Sequence, residues 1–238
     1  MRRPEGPPPR PAPPGRRRPC HAWAVCPPSD APAAPPPLPP VPQTLRVRDP
    51  AEPLRELRRA WRGHAERWVF GYASLIWRPE FEAVEHRSAL VRGWHRALRM
   101  RSRVNRGTPE QPGLVFALLP GGACRGVVYR LRPDREDEEL ERLWAREMPT
   151  GVYDPRLLPC QTPGGQVVAL AFTLSRRSEA CLPRLPDTEL LHILRHARGR
   201  YGSTLEYLRE TAAALRVHGV RDREIERLVG VARRAGLL

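Results

Sequence analysis

The chain has 238 residues, enough for one large or two small domains with a substantial core, and its formal net charge is +15. All 41 basic residues are arginine, and acidic residues are interleaved with them through 134–147 and 221–227, as on solvated helix faces, so the charge does not predict a nucleic-acid partner. No run of ~18–20 apolar residues is present, which argues against a membrane span.

The first 50 residues are predicted to form a tail outside the folded domain, which is expected to span 51–238. They hold 18 of the 30 prolines and eight arginines, with no periodic apolar pattern. Proline runs cannot join a helix or a central strand, so the tail is expected to be disordered or polyproline II. It lacks the continuous apolar segment of a secretory signal, and its prolines oppose the amphipathic helix of a transit peptide.

Apolar periodicity predicts the elements of the first half of the domain. A helix is predicted from Pro50 to Arg67, followed by a buried strand over 68–72. One or two strands are predicted within 88–104, and then a loop over 105–110. Strands at 113–119 and 124–131 flank Pro120-Gly121-Gly122, which predicts a hairpin turn.

The second half is predicted to contain one helix, two strands and then only helices. The first helix runs from Asp134 to about Met148, and the strands lie at 156–161 and 166–174. Further helices are predicted from Asp187, as the capping residue, to about Gly199, and at 203–217 and 222–236. This order indicates an α+β fold with a mixed barrel or strongly curved sheet, surrounding helices and a helical C-terminal third.

Common catalytic and metal-binding patterns are missing. The chain has no G-x-S-x-G, P-loop, G-x-G-x-x-G or H-E-x-x-H sequence. His192 and His196 are spaced i, i+4 on a predicted helix, but no third ligand is near in sequence, so no metal is predicted. Five cysteines without a C-x-x-C pair favour a reduced, cytoplasmic protein, and Cys160 is interpreted as buried and structural rather than as a catalytic thiol.

The segment W-V-F-G-Y-A-S-L-I-W, residues 68–77, predicts a buried strand that ends in a tight loop. Its apolar run breaks at Gly71 and resumes at Leu75. A loop of this kind can direct several backbone N–H groups at one point and so bind a carboxylate or an oxyanion. On this pattern alone, an ordinary turn after a strand is an equal alternative.

Glu147 differs from the other acidic residues of its predicted helix. It falls at the C-terminal end, where the helix dipole disfavours an anion, and its neighbours Trp144 and Met148 are apolar. Both effects raise the pKa of a carboxyl group toward the range of a general base. From its position alone, the alternative is an exposed glutamate paired with Arg146 or Arg142.

Several motifs in register resemble the ChaC-type γ-glutamylcyclotransferases. F-G-Y-A-S-L-I-W is followed about 70 residues later by W-A-R-E-M-P-T-G-V-Y-D. R-G-T-P-E-x-P-G-L-V-F and C-R-G-V-V-Y-R lie between them, and G-R-Y-G-S-x-x-E-Y-L follows. The resemblance covers about residues 66–236. It implies a γ-glutamylcyclotransferase-like fold, with 51–238 as a catalytic domain.

The resemblance implies an enzyme that cleaves glutathione into 5-oxoproline and cysteinylglycine without a metal or another cofactor, acting as a monomer or weak dimer. It implies that Glu147 is the catalytic acid/base, which removes a proton from the γ-glutamyl α-amine and delivers it to the leaving nitrogen. It places the glutamyl group against a loop whose amides hold the α-carboxylate. That loop consists of Gly71, Tyr72, Ala73, Ser74, Leu75 and Ile76.

Other candidate substrate contacts are two tyrosines and three arginines. Tyr153 and Tyr201 could line the pocket and donate hydrogen bonds, with packing as the alternative. Arg101, Arg103 and Arg106 are candidates for the glycyl carboxylate of glutathione, because arginine binds carboxylates through two parallel hydrogen bonds. The sequence does not choose among the three.

Ala73 departs from the family pattern, which usually has glycine at this point of the loop. If the backbone there requires a positive φ, the alanine would cost on the order of 1 kcal/mol. Activity is expected to survive this change.

Two other functions are open. A cyclotransferase of the same fold could act on γ-glutamylamines or other γ-glutamyl peptides, and only the pocket beyond the glutamyl group would distinguish it. Alternatively, the chain could be a non-catalytic, arginine-rich RNA- or protein-binding module on this fold, whose binding would fall steeply with salt.

Overall fold

Five strands close into a mixed β-barrel in the order β1-β3-β2-β4-β5. The computed structural model describes residues 48–238. The strands are β1 (Trp68–Gly71), β2 (Ala83–Ser102), β3 (Gly113–Leu131), β4 (Asp154–Thr162) and β5 (Gly165–Thr173). The barrel closes where β1 pairs with β5 in parallel, with Trp68 opposite Ala169, and β3 meets β5 in parallel at one position. The remaining neighbours are antiparallel.

Helices surround this barrel and fill the C-terminal third of the chain. They are α1 (Ala51–Trp61), α2 (Ser74–Trp77), α3 (Glu136–Glu147), α4 (Asp187–His196), α5 (Thr204–Val217) and α6 (Arg223–Arg234). A two-residue ribbon, β6 (Arg198–Gly199) with β7 (Gly202–Ser203), joins α4 to α5. Within residues 48–238, no helix is both long and apolar enough to cross a membrane. The predicted α+β class, the mixed barrel and the helical C-terminal third are confirmed.

The core contains large side chains from the barrel strands and from α3. Each of these contributes about 1.5–3 kcal/mol by leaving water. The largest that are fully buried include Trp68, Phe70, Phe116, Phe172, Leu140 and Leu143. Every residue of β1 is buried. The packing of this strand in the core therefore fixes the position at which the following loop begins.

The predicted hairpin at Pro120-Gly121-Gly122 is wrong. β3 continues through this point, and both of its halves pair with β2 instead of with each other. Gly93, Gly121 and Gly122 have φ values of +80°, +102° and +74°, and the register shifts between Arg92 and Trp94. The glycines therefore form a bulge that bends the ribbon. β2 is 20 residues long, so both halves of β3 can pair with it, and the chain does not turn back at residues 120–122.

Two predicted helices end earlier in the structure, and one helix was not predicted. α1 ends at Trp61 rather than Arg67, because the amide of His64 donates to the Trp61 carbonyl at 3.0 Å and closes a turn. α4 ends at His196 rather than Gly199, because residues 198–199 pair with 202–203. The capping position of α4 is occupied by Pro186, not Asp187. The short α2 interrupts what the sequence predicts as a loop.

Most of the predicted tail, residues 1–50, lies outside the described residues. Its last three residues contact the domain. Arg48 donates to the Tyr153 carbonyl and pairs with Asp154 at 2.9 Å, while the Pro50 carbonyl accepts the indole N–H of Trp144 at 2.9 Å. Residues 48–50 therefore pack with the domain, and the division of the chain at residue 50 stays a prediction.

Arg96 on β2 connects the barrel to α6 and to the loop after β1. Its side chain is fully buried, with 0% exposure. It donates to the carbonyls of Tyr72 and Arg125 and forms an ion pair with Asp222. The Asp222 carboxylate also accepts two amides at the start of α6, each at 3.1 Å. One buried cation thus fixes three separate segments.

We expect Asp222→Ala to lower the free energy of unfolding by about 3 kcal/mol. The substitution leaves the Arg96 guanidinium buried without a counter-ion and removes a helix cap. Urea unfolding measures the change. The matched control is Asp187→Ala, which removes an exposed ion pair at the start of α4 and should cost less than about 1 kcal/mol. Equal losses in the two variants would contradict the anchoring role of Arg96.

Candidate active site

A cleft of about 180 Å³ lies where the segment after α2, the end of β2 and the C-terminal end of α3 meet. Five arginines and three glutamates line it. The arginines are Arg78, Arg101, Arg103, Arg106 and Arg146, and the glutamates are Glu80, Glu147 and Glu179. This excess of positive charge favours an anionic ligand.

A smaller cavity of about 20 Å³ lies beside the cleft and shares residues with it. The shared residues are Ser74, Glu147, Tyr153 and Tyr207. The other residues around the small cavity are Tyr72, Ala73, Leu75, Phe116 and Phe172. The structure thus brings the predicted loop and the predicted glutamate to one place, although they lie far apart in sequence.

Gly71 and Ile76 are the two loop residues that line neither cavity. Gly71 allows a close approach of the backbone, because a Cβ there would lie 3.1 Å from the Tyr129 ring and 3.2 Å from the Leu75 Cβ. Ile76 is buried, and its carbonyl accepts the Tyr129 hydroxyl at 3.3 Å. Both residues support the loop from the core side.

The rest of the loop is a sharp transition from β1 to the one-turn helix α2. The Ile76 amide donates to the Ala73 carbonyl at 2.9 Å, and the Arg78 amide donates to the Ser74 carbonyl at 2.8 Å. The first amides of a helix have no partner within it, so those of Ser74 and Leu75 are left for other acceptors. Ala73 has φ −146°, so the cost that a positive φ would have caused does not arise.

Glu147 is the last residue of α3, and its side chain keeps only 14% exposure. The Arg146 Nε lies 3.1 Å from its Oε1. Burial raises the pKa of Glu147, the Arg146 charge opposes the rise, and the Glu80 charge adds to it. Glu147 is therefore paired with Arg146, as in the alternative that the sequence left open, but it is largely buried rather than exposed. A carboxyl with a raised pKa in a cleft is suited to proton transfer.

Three buried tyrosines, Tyr72, Tyr153 and Tyr207, surround Glu147. Burial is the main cause that raises the pKa of each phenol, and the negative charge of Glu147 raises all three further. The phenols therefore stay protonated at neutral pH and can donate hydrogen bonds. The Tyr72 hydroxyl already donates to the Phe172 carbonyl at 2.9 Å.

The three candidate arginines all line the cleft, but their environments differ. Arg106 is 7% exposed, donates to the Tyr201 carbonyl and lies over the rings of Trp77 and Tyr207, with its Cζ 5.8 and 5.0 Å from the two ring centroids. Within residues 48–238, no carboxylate lies within 4 Å of the guanidinium of Arg101 or Arg103. Arg106 therefore supports the wall, while the other two can bind a ligand.

Tyr201 lines the cleft from the turn between β6 and β7, where the Arg78 guanidinium lies 4.9 Å from the centroid of its ring.

Among the described residues, no group of three or more potential ligands is placed to hold a metal ion. The rings of His192 and His196 lie 4.5 Å apart, away from the cleft residues. Burial raises the pKa of the Cys160 thiol to about 12, which agrees with its structural interpretation.

The profile of the family described as "ChaC-like protein" matches residues 67–235. The chain belongs to this family. A glutathione-specific γ-glutamylcyclotransferase of Escherichia coli K12 is 36% identical over 163 residues, covering 65% of this chain and 68% of the relative. Glutathione-specific γ-glutamylcyclotransferase 1 of mouse is 32% identical over 169 residues, covering 68% and 76%.

A solved structure supports the fold of this ChaC-like chain. The glutathione-specific γ-glutamyl cyclotransferase from yeast superimposes with a TM-score of 0.65 at 21% identity, over 71% of this chain and 96% of the other. The predicted γ-glutamylcyclotransferase-like fold is therefore confirmed. At this level of identity the superposition concerns the fold and not the chemistry.

Three residues of the ChaC-like site were not predicted from the sequence. Tyr207 stands in the motif G-R-Y-G-S-x-x-E-Y-L, so its place in the motif was the available signal. Arg146 precedes the predicted glutamate, but its burial depends on the segment after α2. Glu80 lies outside the motifs, and no sequence signal pointed to it.

We expect Glu147→Gln to stabilise the ChaC-like protein at neutral pH. Because the pKa of Glu147 is raised on folding, its ionised form favours the unfolded state above that pKa. As pH falls through the folded-state pKa toward the ordinary value of a glutamic acid, the wild type gains stability and the difference closes. Thermal melting from neutral to acidic pH measures this. Glu141→Gln, on the exposed side of α3, is the control, and a difference that grows in acid would contradict the expectation.

Proposed function

We propose that this ChaC-like protein cleaves glutathione into 5-oxoproline and cysteinylglycine, with Glu147 as the general acid/base. The observation that carries the proposal is a buried carboxyl with a raised pKa beside the loop 72–75 in an arginine-lined cleft. The names of the E. coli and mouse relatives support glutathione as the substrate.

The reaction moves two protons from the attacking nitrogen, which starts as an ammonium group and ends as a lactam N–H, to the leaving nitrogen. The α-amine of the γ-glutamyl group is normally protonated and cannot attack. Glu147 accepts a proton from this amine, whose nitrogen then bonds to the γ-carbonyl carbon and closes a five-membered ring. As the C–N bond to cysteine breaks, Glu147 returns the first proton to the leaving nitrogen, and the ring nitrogen gives up its second proton to the released amine. Nucleophile and electrophile share one molecule, so the main task of the protein is to hold the bent conformation of the glutamyl chain.

The loop and the tyrosines would hold the two charged parts of the glutamyl group. The amides of Ser74 and Leu75 at the start of α2 would bind its α-carboxylate, and a neighbouring amide would stabilise the oxyanion that develops on the γ-carbonyl. The neutral phenols of Tyr153 and Tyr207 can donate hydrogen bonds beside Glu147. Tyr201 would line the wider part of the cleft.

The distal glycyl carboxylate would bind Arg101 and Arg103. Both line the cleft. The guanidinium of the third candidate, Arg106, is already engaged by the Tyr201 carbonyl and by the rings of Trp77 and Tyr207. A carboxylate-binding subsite favours a peptide over a γ-glutamylamine. We also propose that the protein acts as a monomer or weak dimer in the cytoplasm, in keeping with the cysteine spacing.

We expect Glu147→Gln to lower kcat for glutathione by about 10²-fold or more, because a neutral amide cannot accept the amine proton. Release of 5-oxoproline, followed by chromatography, measures the rate. Glu141→Gln is again the control and should match the wild type. Turnover of γ-glutamyl-alanine instead of glutathione would assign a different γ-glutamyl substrate. Binding without turnover, unchanged in Glu147→Gln, would favour the non-catalytic module.

We expect the double substitution Arg101→Gln, Arg103→Gln to raise KM for glutathione about tenfold or more, since charge-assisted hydrogen bonds to the glycyl carboxylate are lost. The test compares glutathione with its glycyl ethyl ester, which lacks that charge. The wild type should prefer the free acid, and the variant should treat both alike. Arg142→Gln is the control, because Arg142 pairs with Glu138 outside the cleft. A preference that survives the double substitution would contradict this subsite.

A further inference from the structure

Arg146 fixes one face of the Glu147 carboxyl. Its side chain is 13% exposed, and its Nη1 donates to the carbonyls of Arg78 and Pro79, the latter at 3.0 Å. Its Nε lies 3.1 Å from Oε1 of Glu147. The guanidinium is thus anchored to the backbone of the segment after α2. The closest contact is with Oε1, and Glu147 also lines both cavities, where a substrate amine would meet its carboxyl group.

Glu80 also contacts the guanidinium of Arg146. Its Oε2 lies 3.6 Å from the Arg146 Nη1, and its Oε1 pairs with Arg78. Glu80 is the one residue other than glycine with a positive φ within residues 48–238, at +57°. This conformation costs a non-glycine residue on the order of 1 kcal/mol. The ion pairs of its carboxylate oppose that cost and hold the charge beside Arg146.

We propose that Arg146 and Glu80 are positioning residues for Glu147: Arg146 orients the carboxyl, and Glu80 balances the Arg146 charge so that Glu147 can both accept and release a proton. The proposal rests on the acid/base role of Glu147 proposed above. A lone arginine at 3.1 Å would hold the carboxylate in its ionised form and oppose its protonation. A second carboxylate beside the same guanidinium, that of Glu80, weakens the stabilisation of the ionised form of Glu147.

The other charged and titratable groups around Glu147 do not provide this balance. Tyr72, Tyr153 and Tyr207 pack against it from the loop after β1, the residue before β4, and α5, and burial keeps all three neutral at neutral pH. Arg106 acts at longer range, through Tyr207. Among the groups that face Glu147, Arg146 is the cation in contact with it, and Glu80 is the carboxylate that acts on it.

The test is the acidic limb of the pH profile of kcat/KM for glutathione, which reports ionisation in the free enzyme. Ionisation of the substrate is common to all variants and cancels. Glu80→Gln strengthens the effect of Arg146 on Glu147 and should move the limb to lower pH by about half a unit. Arg146→Gln should move it to higher pH by about one unit and lower kcat about tenfold or more, since the carboxyl loses its orientation.

Arg146→Lys separates charge from geometry. Lysine keeps the cation, so the limb should return close to the wild-type position. It cannot bind two carbonyls and a carboxylate in the planar arrangement of a guanidinium, so kcat on the plateau should stay below that of the wild type. This variant and Glu80→Gln keep the test decisive if Arg146→Gln does not fold.

The matched controls are Glu82→Gln and Arg142→Gln, whose ion pairs lie outside the cleft and whose limbs should coincide with the wild type. Limbs that move in opposite directions for Glu80→Gln and Arg146→Gln support the proposal. Limbs that stay in place or move together overturn it, provided that Glu147→Gln is inactive. If the wild type does not turn over glutathione, or if Glu147→Gln is as active as the wild type, the proposed function fails and this inference fails with it.

Discussion

The buried charge of Arg96 is the constraint on which the site depends. A guanidinium without access to water costs several kcal/mol unless its donors are satisfied and its charge is paired. Here the required partners are the carbonyls of Tyr72 and Arg125 and the carboxylate of Asp222. The Tyr72 carbonyl belongs to the loop beside Glu147. The position of that loop is therefore set by an interaction that also fixes α6, although no residue of α6 lines the cleft or the small cavity.

All basic residues of the chain are arginines, and several of them have a structural role that the composition does not show. Arg96, Arg106 and Arg146 each bind more than one carbonyl oxygen, and they link segments that are distant in sequence. A planar group with five donors can do this, whereas an ammonium group has three donors and no fixed plane. Part of the positive charge thus supports the fold, and Arg78, Arg101 and Arg103 add further positive charge to the cleft.

The sequence predicted the structural features that depend on residues close together in the chain. The apolar periodicity of β1 and of α3 placed the loop 71–76 and Glu147 on the right elements, and the motifs gave the family. The hairpin predicted at residues 120–122 is wrong because the residues that pair with the ends of this stretch, Trp94 opposite Pro120 and Arg92 opposite Ala123, lie far back along the chain on β2. Glu80, Arg146 and Tyr207 were not predicted as site residues for the same reason. Their functions depend on which groups the closed barrel places beside them.

The parallel pairing that closes the barrel has a kinetic consequence. β1 meets β5 through residues 68–69 and 169–170, so this contact joins positions about a hundred residues apart in the chain. Loop closure over such a distance is entropically expensive, and folds rich in distant contacts form slowly. The walls of the cleft come from α2, β2, α3 and α5 and from the loops beside them, and the closed barrel holds these elements together. The proposed cyclotransferase activity would therefore appear during refolding only after this long-range closure.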